Sequence, residues 1–331
     1  MTIQSGGSLA GSGEGLEPGV AEFARRVQAG FAAHGDFTAL SFPQQRAIAE
    51  AVRAPWRQGG PVMVRREDFN VATDAGAVRV RLLDAGSGAG GRPVLAYLHG
   101  GGFTTFSLDT HDRLMREYAA RADVAVLGID YALSPEAKFP LALNQVVGVL
   151  DWLTAEGGGV GLDAGRIAVG GDSAGANLSL AATLALRERG HAERIRGLLL
   201  NYGFFDADFT TASQRRYGGA GAMLTSAELA GFLENYLGGT SHGSHPLALP
   251  ILADLRGLPP SFHVIAECDP LADGDRRMAE KLAAAGGDVS CVVYPGATHS
   301  FLEAVSVSPL ADRALGEASA WLRARLAADG A

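Results

Sequence analysis

The sequence predicts an α/β fold in which a mostly parallel sheet is covered by helices on both faces. Short apolar segments recur along the chain, and helical segments separate them. Strands that are apolar throughout belong in a sheet buried on both faces, and alternation of strand and helix produces parallel pairing. The length of 331 residues also allows a sizeable core that needs no disulfide or metal.

The N-terminal part of the chain predicts a flexible tail followed by two helices. Residues 1–16 are rich in Gly and Ser, and they lack the basic and apolar regions of a secretory signal. Apolar residues fall on one helix face between residues 17 and 33, and a second helical pattern covers 43–54. Because short helices are marginal alone, we expect both to pack on the rest of the chain.

Eight strands are predicted after these helices. Between residues 62 and 83 apolar and polar residues alternate around a turn at 74–76, which indicates an antiparallel hairpin. Six continuous apolar segments follow, at 93–98, 124–129, 167–170, 195–200, 262–266 and 289–294. The helical segments between and after them are about 110–121, 141–155, 175–189, 271–285 and 309–327.

The interval 206–258 is much longer than an ordinary connection between strands. It holds one predicted helix, at about 226–237, among loops rich in Gly, Ser, His and Pro. We interpret it as an insertion that joins the N-terminal helices in a cap. The chain is therefore expected to form one domain over 17–331, with a cap from 17–56 and part of 206–258.

Composition excludes several function classes. The formal net charge of −8 argues against a broad nucleic-acid footprint or binding to an anionic membrane. No apolar run approaches the roughly 18 residues of a membrane helix. Cys268 and Cys291 are too few for a disulfide scaffold or a zinc site, and we expect reduced thiols in a cytoplasmic protein. The expected partner is a small molecule, and assembly into a homodimer stays open.

The segment Gly171-Asp-Ser-Ala-Gly175 has the GxSxG pattern of a nucleophile elbow. It lies between the apolar strand 167–170 and a helix, the context in which a sharp turn exposes the Ser hydroxyl. A second GxSxG copy surrounds Ser241, but it follows a predicted helix and has no strand before it. We therefore predict that Ser173 is a nucleophile and that Ser241 lies in a loop.

The segment His99-Gly100-Gly101-Gly102 directly follows the strand 93–98. Acyl transfer creates an oxyanion, which backbone N–H groups stabilise. Successive glycines allow the main chain to approach a reacting group closely. The segment is therefore predicted to be the oxyanion loop of the same site.

A Ser nucleophile requires a base, and in this arrangement the chain order is Ser, acid, His. His299 follows the last strand, and loops at the carboxyl ends of parallel strands form the sites of such sheets. We predict that His299 is the base. The other His residues after Ser173 fall at a helix end, in the insertion or inside a strand; they are His191, His242, His245 and His263.

The orienting acid is predicted to be Asp269, which follows the strand 262–266. Glu267 is the main alternative, although it lies at the strand end itself. Asp273 and Asp275 are interpreted as first-turn acids that complement the dipole of the next helix.

Asp109, His111 and Asp112 form a cluster that could suggest a metal site. We favour a helix start there, capped by Asp109 or Thr110. The sequence has no HExxH or GxxxxGK pattern, so zinc hydrolysis and nucleotide binding have no support. No cofactor and no metal are expected.

These motifs together resemble the bacterial hormone-sensitive lipase family of α/β-hydrolases, from about residue 60 to 328. The segments 108–113 and 130–140 resemble its acetyl esterase branch. The resemblance implies an N-terminal helical cap and a serine carboxylesterase that hydrolyses short-chain acyl esters without a cofactor. It also implies the residue roles, namely a triad of Ser173, Asp269 and His299 and oxyanion donors at the N–H groups of Gly101, Gly102 and Ala174.

The chain departs from this family at two positions. Ser300 follows the predicted base, where the family commonly has Gly. This departure leaves the predicted triad intact and bears on the backbone conformation at that position. Asn144 stands where an acidic residue is common, which concerns a peripheral contact.

Two alternatives remain open on the sequence. An amidase or peptidase would use the same triad. The cap, and not the triad, would distinguish an ester from an amide by its leaving group. A ligand-binding protein on the same fold would lack the Ser or the His, and both are present.

Large aromatic residues beside the predicted catalytic loops favour a short acyl pocket, for chains of about two to six carbons. Phe103, Phe204 and Phe301 are predicted to contact substrate, with Phe106 and Phe205 nearby. The alternative is that these rings belong to the core.

Overall fold

An eight-stranded sheet forms the centre of the computed structural model, which describes residues 15–35, 37–86, 90–239 and 243–327. The strands are β1 Arg65–Thr73, β2 Gly76–Asp84, β3 Arg92–Leu98, β4 Ala125–Asp130, β5 Leu162–Asp172, β6 Ile195–Asn201, β7 Ser261–Ala266 and β8 Val289–Tyr294. Their order is β1-β2-β4-β3-β5-β6-β7-β8. The first two pairings, β1 with β2 and β2 with β4, are antiparallel, and the others are parallel. This confirms the predicted fold class.

Helices cover both faces of the sheet. They are α1 Pro18–Ala32, α2 Phe42–Arg53, α3 Asp112–Ala122, α4 Leu141–Glu156, α5 Ala174–Glu188, α6 Ala212–Tyr217, α7 Ser226–Leu237, α8 Ala272–Ala284 and α9 Pro309–Arg325. Side chains of β3 alternate between two buried layers: Val94, Ala96 and Leu98 pack with α4 and α5, whereas Leu95 and Tyr97 pack with α3 and α9. The continuous apolar segments of the sequence therefore reflect burial on both faces.

Helix α1 begins where the sequence places it, and its start is bound to the C-terminal part of the chain. The Glu17 carboxylate accepts hydrogen bonds from the Val20 N–H at 2.9 Å and the Ser308 hydroxyl at 2.6 Å. The Glu17 N–H donates to the Gly296 carbonyl at 2.9 Å. The predicted tail at 1–16 falls almost entirely outside the described residues.

Three local predictions were wrong. The hairpin begins at Arg65 rather than residue 62, and the Val62 side chain is exposed. The insertion holds the short helix α6 as well as α7. Neither Asp109 nor Thr110 caps α3: the Thr110 hydroxyl bonds the Ser107 main chain, and the Asp109 carboxylate pairs with Arg81 at 2.8 Å.

Across the described residues, no helix has both the length and the apolar character that crossing a membrane requires.

Candidate active site

A sharp turn between β5 and α5 carries Ser173. Its backbone has φ 56° and ψ −118°, which is sterically unfavourable for a residue with a Cβ atom. The positions two before and two after Ser173 must be Gly. A Cβ atom would lie 2.3 Å from the Leu98 carbonyl oxygen at Gly171, and 2.0 Å from it at Gly175. The Ser173 N–H donates to the Asn201 carbonyl at 2.9 Å, which fixes the turn against β6.

Ser173, His299 and Asp269 form a continuous hydrogen-bonded row. Ser173 Oγ lies 3.1 Å from His299 Nε2, and His299 Nδ1 lies 2.7 Å from Asp269 Oδ2. The second Asp269 oxygen accepts the Leu271 N–H at 2.9 Å, so the carboxylate orientation is fixed. All three residues are buried. The structure therefore brings together one hydroxyl, one imidazole and one carboxylate from three loops at the carboxyl edge of the sheet.

The alternative acid and His263 lie outside this row. The Glu267 carboxylate accepts the Gly296 N–H at 3.2 Å. His263 is buried in β7, and its Nδ1 lies 3.1 Å from the carboxylate of Asp275, which also accepts the Gly203 N–H. Ser241 and His242 lie outside the described residues.

The glycine loop after β3 lies beside Ser173. Gly101 and Gly102 have φ values of +109° and +59°. A Cβ atom would lie 2.2 Å from the Thr105 carbonyl oxygen at Gly101, and 2.2 Å from the Phe232 ring at Gly102. In the part of the chain that the structure describes, the N–H groups of Gly101, Gly102 and Ala174 have no hydrogen-bond acceptor. Three donors therefore stay available to an oxyanion.

A buried carboxylate joins this loop to the Ser173 turn. Asp172 Oδ1 accepts hydrogen bonds from the Tyr97 hydroxyl at 2.8 Å and the Gly100 N–H at 3.1 Å. Asp172 Oδ2 lies 3.2 Å from His111 Nε2. Burial lowers the pKa of His111, but the Asp172 charge, the hydrogen bond to Asp172 and the Glu303 charge together hold that pKa above its usual value. Burial alone would raise the pKa of Asp172. The charge and hydrogen bond of His111, with the hydrogen bond from Tyr97, bring that pKa below its usual value.

His99, the first residue of the loop, is neutral. Burial lowers the pKa of its imidazole to about 3. The ring stacks on Tyr131 with centroids 4.5 Å apart, and its Nδ1 lies 2.7 Å from the Gly100 carbonyl oxygen. The Tyr131 hydroxyl donates to the His99 carbonyl at 2.7 Å. These contacts of His99 fix the start of the loop.

A cavity of about 440 Å³ opens onto Ser173 and His299. Its apolar lining comes from the N-terminal helices, the glycine loop and α7, and it includes Phe31, Phe37, Phe106, Phe204, Leu229 and Phe232. Of the three predicted contact residues, only Phe204 lines this cavity. Phe103 stacks on Tyr236 at 3.8 Å, and Phe301 packs beside Tyr202 and Tyr294, so both rings belong to the core.

One ion pair borders the cavity. Arg53, at the end of α2, lines the cavity and pairs with Glu303 at 2.8 Å, and each side chain is only 4% exposed. Glu303 lies in the short 3-10 helix Phe301–Ser306 that follows His299. The pair therefore joins the N-terminal helices to the loop that carries the imidazole.

Ser300 adopts the left-handed conformation, with φ 62° and ψ 14°. This is the conformation in which Gly carries no steric penalty, which explains why Gly is common there in the family that the sequence resembles. Ser300 keeps the turn, and the His299 hydrogen bonds are formed in its presence.

Sequence reasoning missed the roles of Asp172, His111, Arg53 and Phe232. Asp172 lies inside the GxSxG pattern, and His111 lies in a polar segment that predicts a helix start. Each acts through a partner far along the chain; His111 and Asp172, for example, are 61 positions apart. The described residues contain no group of three or more His, Cys, Asp or Glu that could hold a metal ion.

Comparison with known proteins shows similarity over most of the chain. A family model described as the alpha/beta hydrolase fold matches residues 95–303. A hyperthermophilic esterase from the archaeon Pyrobaculum calidifontis is 29% identical, with a TM-score of 0.86, covering 94% of this chain and 98% of that chain. The carboxylesterase EstE1, cloned from a metagenomic library, is 31% identical with a TM-score of 0.84, covering 88% and 99%. A thermostable esterase from Pseudomonas putida is 28% identical with a TM-score of 0.89, covering 97% and 100%.

Proposed function

The chain belongs to the hormone-sensitive lipase-like family of alpha/beta hydrolases and is a carboxylic ester hydrolase, and from this we propose that Ser173, His299 and Asp269 are its catalytic triad. The observation that carries the proposal is the hydrogen-bonded row from Ser173 Oγ through the imidazole to Asp269. The three N–H groups without acceptors, at Gly101, Gly102 and Ala174, support a role as the oxyanion hole.

The proposed reaction has two halves. The Ser173 hydroxyl attacks the ester carbonyl while His299 Nε2 accepts its proton, and Asp269 stabilises the resulting imidazolium. The oxyanion receives hydrogen bonds from the three N–H groups. His299 then protonates the leaving alcohol, which gives an acyl-enzyme. Water attacks this intermediate in the same way, with His299 again as base, and releases the acid.

We propose short-chain acyl esters as the substrates. Several aromatic rings line the cavity of about 440 Å³, and the Phe232 ring lies directly against Gly102. Each additional buried methylene would add about 0.8 kcal/mol of binding free energy in an open groove. A preference for short chains therefore requires a steric wall, and Phe204 and Phe232 supply it.

Active-site labelling tests the nucleophile. A p-nitrophenyl organophosphate should add once to the protein, and peptide mass spectrometry should find the adduct on Ser173. Ser173→Ala should lower kcat on p-nitrophenyl butyrate by about 10⁶-fold. The matched control is Ser241→Ala, in the other GxSxG copy, which should keep wild-type turnover. An adduct on Ser241 alone would refute the assignment.

A further inference from the structure

Helix α2 carries a row of three charged side chains along one face. Arg46, Glu50 and Arg53 are spaced at i, i+4 and i+7, so they lie above one another on the helix surface. Each one contacts a different residue in the segment that follows the oxyanion glycines. We name residues 104–107 the support segment.

The three contacts differ in chemistry. Arg46 Nε donates to the Thr104 carbonyl at 2.8 Å. The Ser107 hydroxyl donates to Glu50 Oε1 at 2.6 Å. The Arg53 guanidinium lies 4.8 Å from the centre of the Phe106 ring. The helix therefore holds a main-chain carbonyl, a hydroxyl and an aromatic ring within four consecutive residues.

The support segment in turn holds the oxyanion glycines. The N–H groups of Thr104 and Thr105 donate to the Gly101 carbonyl at 3.0 and 2.9 Å. The Thr104 hydroxyl donates to the Gly102 carbonyl at 3.0 Å. The Gly101 carbonyl shares a peptide plane with the Gly102 N–H, so a shift of the support segment would turn that N–H group.

This loop conformation needs external support. Phe103 and Phe106 both have positive φ, at 60° and 69°, which is unfavourable for residues with large side chains. Such residues persist only where the surrounding structure holds them. The three glycines before Phe103 add further freedom, so the loop alone does not fix the direction of its N–H groups.

Helix α2 is itself anchored at both ends of the row. Arg46 also donates to the Ser134 carbonyl at 2.8 Å and pairs with Glu136 at 2.6 Å. Ser134 donates its N–H to the Phe103 carbonyl at 2.7 Å, so the same anchor reaches the loop a second time. At the other end, the buried pair of Arg53 with Glu303 fixes the helix to the segment after His299.

We propose that Arg46, Glu50 and Arg53 are positioning residues, which hold the oxyanion loop in its active geometry before substrate binds. The proposal rests on the proposed triad and oxyanion hole. Oxyanion donors act on charge that develops in the transition state. The row on α2 therefore contributes to kcat, whereas a helix that only covered the cavity would contribute to KM.

The experiment compares substitutions in the row with matched substitutions on α1. Arg46→Met and Glu50→Ala are made in the full chain, and the controls are Arg25→Met and Glu22→Ala. Arg25 and Glu22 form an exposed pair on the neighbouring helix at 2.6 Å and contact neither the loop nor the cavity. Turnover of p-nitrophenyl butyrate gives kcat and KM. An aryl trifluoromethyl ketone, which forms a tetrahedral adduct with a Ser nucleophile, gives an inhibition constant.

Each substitution in the row should lower kcat by about 10-fold, less than the ~10²–10³-fold loss of a whole oxyanion donor. The inhibition constant of the ketone should rise by the same factor, while KM stays within about 2-fold. Glu50→Gln, which keeps an acceptor for Ser107, should recover most of the loss. Ser107→Ala removes the same hydrogen bond from the loop side and should reproduce Glu50→Ala.

Two results would overturn the proposal. One is a rise in KM with kcat and ketone affinity unchanged, and the other is an equal loss of kcat in the α1 controls. Ser173→Ala separates this proposal from the proposed function. If Ser173→Ala still turned over substrate, the triad would be wrong; if it were inactive while Arg46→Met kept its ketone affinity, only the role of α2 would be wrong.

Discussion

The carboxylate of Asp172 accepts the N–H of Gly100 at 3.1 Å, and this bond joins the residue before the proposed nucleophile to the first glycine of the proposed oxyanion loop. The two halves of the proposed site therefore share one buried anchor. β3 and β5 are also neighbours in the sheet, with Leu98 paired to Gly171. The hydrogen bond from Gly100 to Asp172 therefore continues, beyond the strand ends, a pairing that the strands already define.

The first prediction concerns the acid of the triad. Asp269→Asn should leave the protein folded and lower kcat by about 10⁴-fold, because the amide favours the wrong tautomer of His299. Steady-state turnover and circular dichroism measure both effects. The matched control is Glu267→Gln, whose carboxylate bonds the Gly296 N–H instead of the imidazole. A loss of turnover in the control alone would move the acid to Glu267.

The second prediction concerns the pH dependence of stability. His111 faces Asp172, Glu303, Arg53 and His99, and the two carboxylates outweigh burial in raising its pKa. A raised pKa in the folded state stabilises the protein below the unfolded His value of about 6.5, and this contribution is lost as pH rises through the folded value.

His111→Gln removes that contribution. The free energy of unfolding of wild type should therefore exceed that of the variant by more at pH 6 than at pH 9. Urea denaturation at both pH values measures the difference. The control is His191→Gln, which replaces a histidine outside this cluster. A gap that widens towards pH 9 would contradict the charged pair.

The third prediction concerns the left-handed residue after His299. Ser300→Gly should raise the free energy of unfolding by about 0.5–1 kcal/mol, because relief of roughly 1–2 kcal/mol of strain exceeds the entropic cost of Gly. Ser300→Val should lower it by more than about 1 kcal/mol. Ser306→Gly, in the 3-10 helix six residues later, lacks a positive φ and should be destabilising. Chemical denaturation compares the three, and an unchanged Ser300→Val protein would contradict the backbone strain.

The fourth prediction concerns acyl chain length. Wild type should show the highest kcat/KM for p-nitrophenyl acetate or butyrate and much lower values for octanoate and palmitate. Phe232→Ala should raise the octanoate to butyrate ratio by at least about 10-fold, since several more methylenes could then be buried.

The control for this series is Phe69→Ala. Phe69 lies on the outer strand β1, its ring packs against Trp152 of α4, and it is not among the residues that line the cavity. This substitution should leave the ratio unchanged. A steady rise of wild-type kcat/KM through palmitate would show that the aromatic wall does not limit the acyl chain.

The sequence predicted most of the fold because its strands are short, apolar and separated by helices of regular period. It also indicated Ser173 and His299, since the positions of both follow from the ends of predicted strands. Three-dimensional contacts decided the rest. Phe232 reaches Gly102 from a helix about 130 residues later, and no local pattern carries that information. Phe103 is the same residue type and directly follows Gly102 in the sequence, yet its ring stacks on Tyr236 and belongs to the core.

The segment between β6 and β7 supplies α7 and with it one wall of the cavity, while Ser173 comes before this segment and Asp269 and His299 come after it. Recombination between related genes could therefore replace one contiguous stretch of coding sequence and change which esters are accepted, with the catalytic groups inherited intact. Such a chimera would have to preserve the hydrogen bonds between the Asn177 side chain and the replaced segment. The Asn177 amide donates to the Phe204 carbonyl at 2.7 Å and to the Ala248 carbonyl at 3.1 Å.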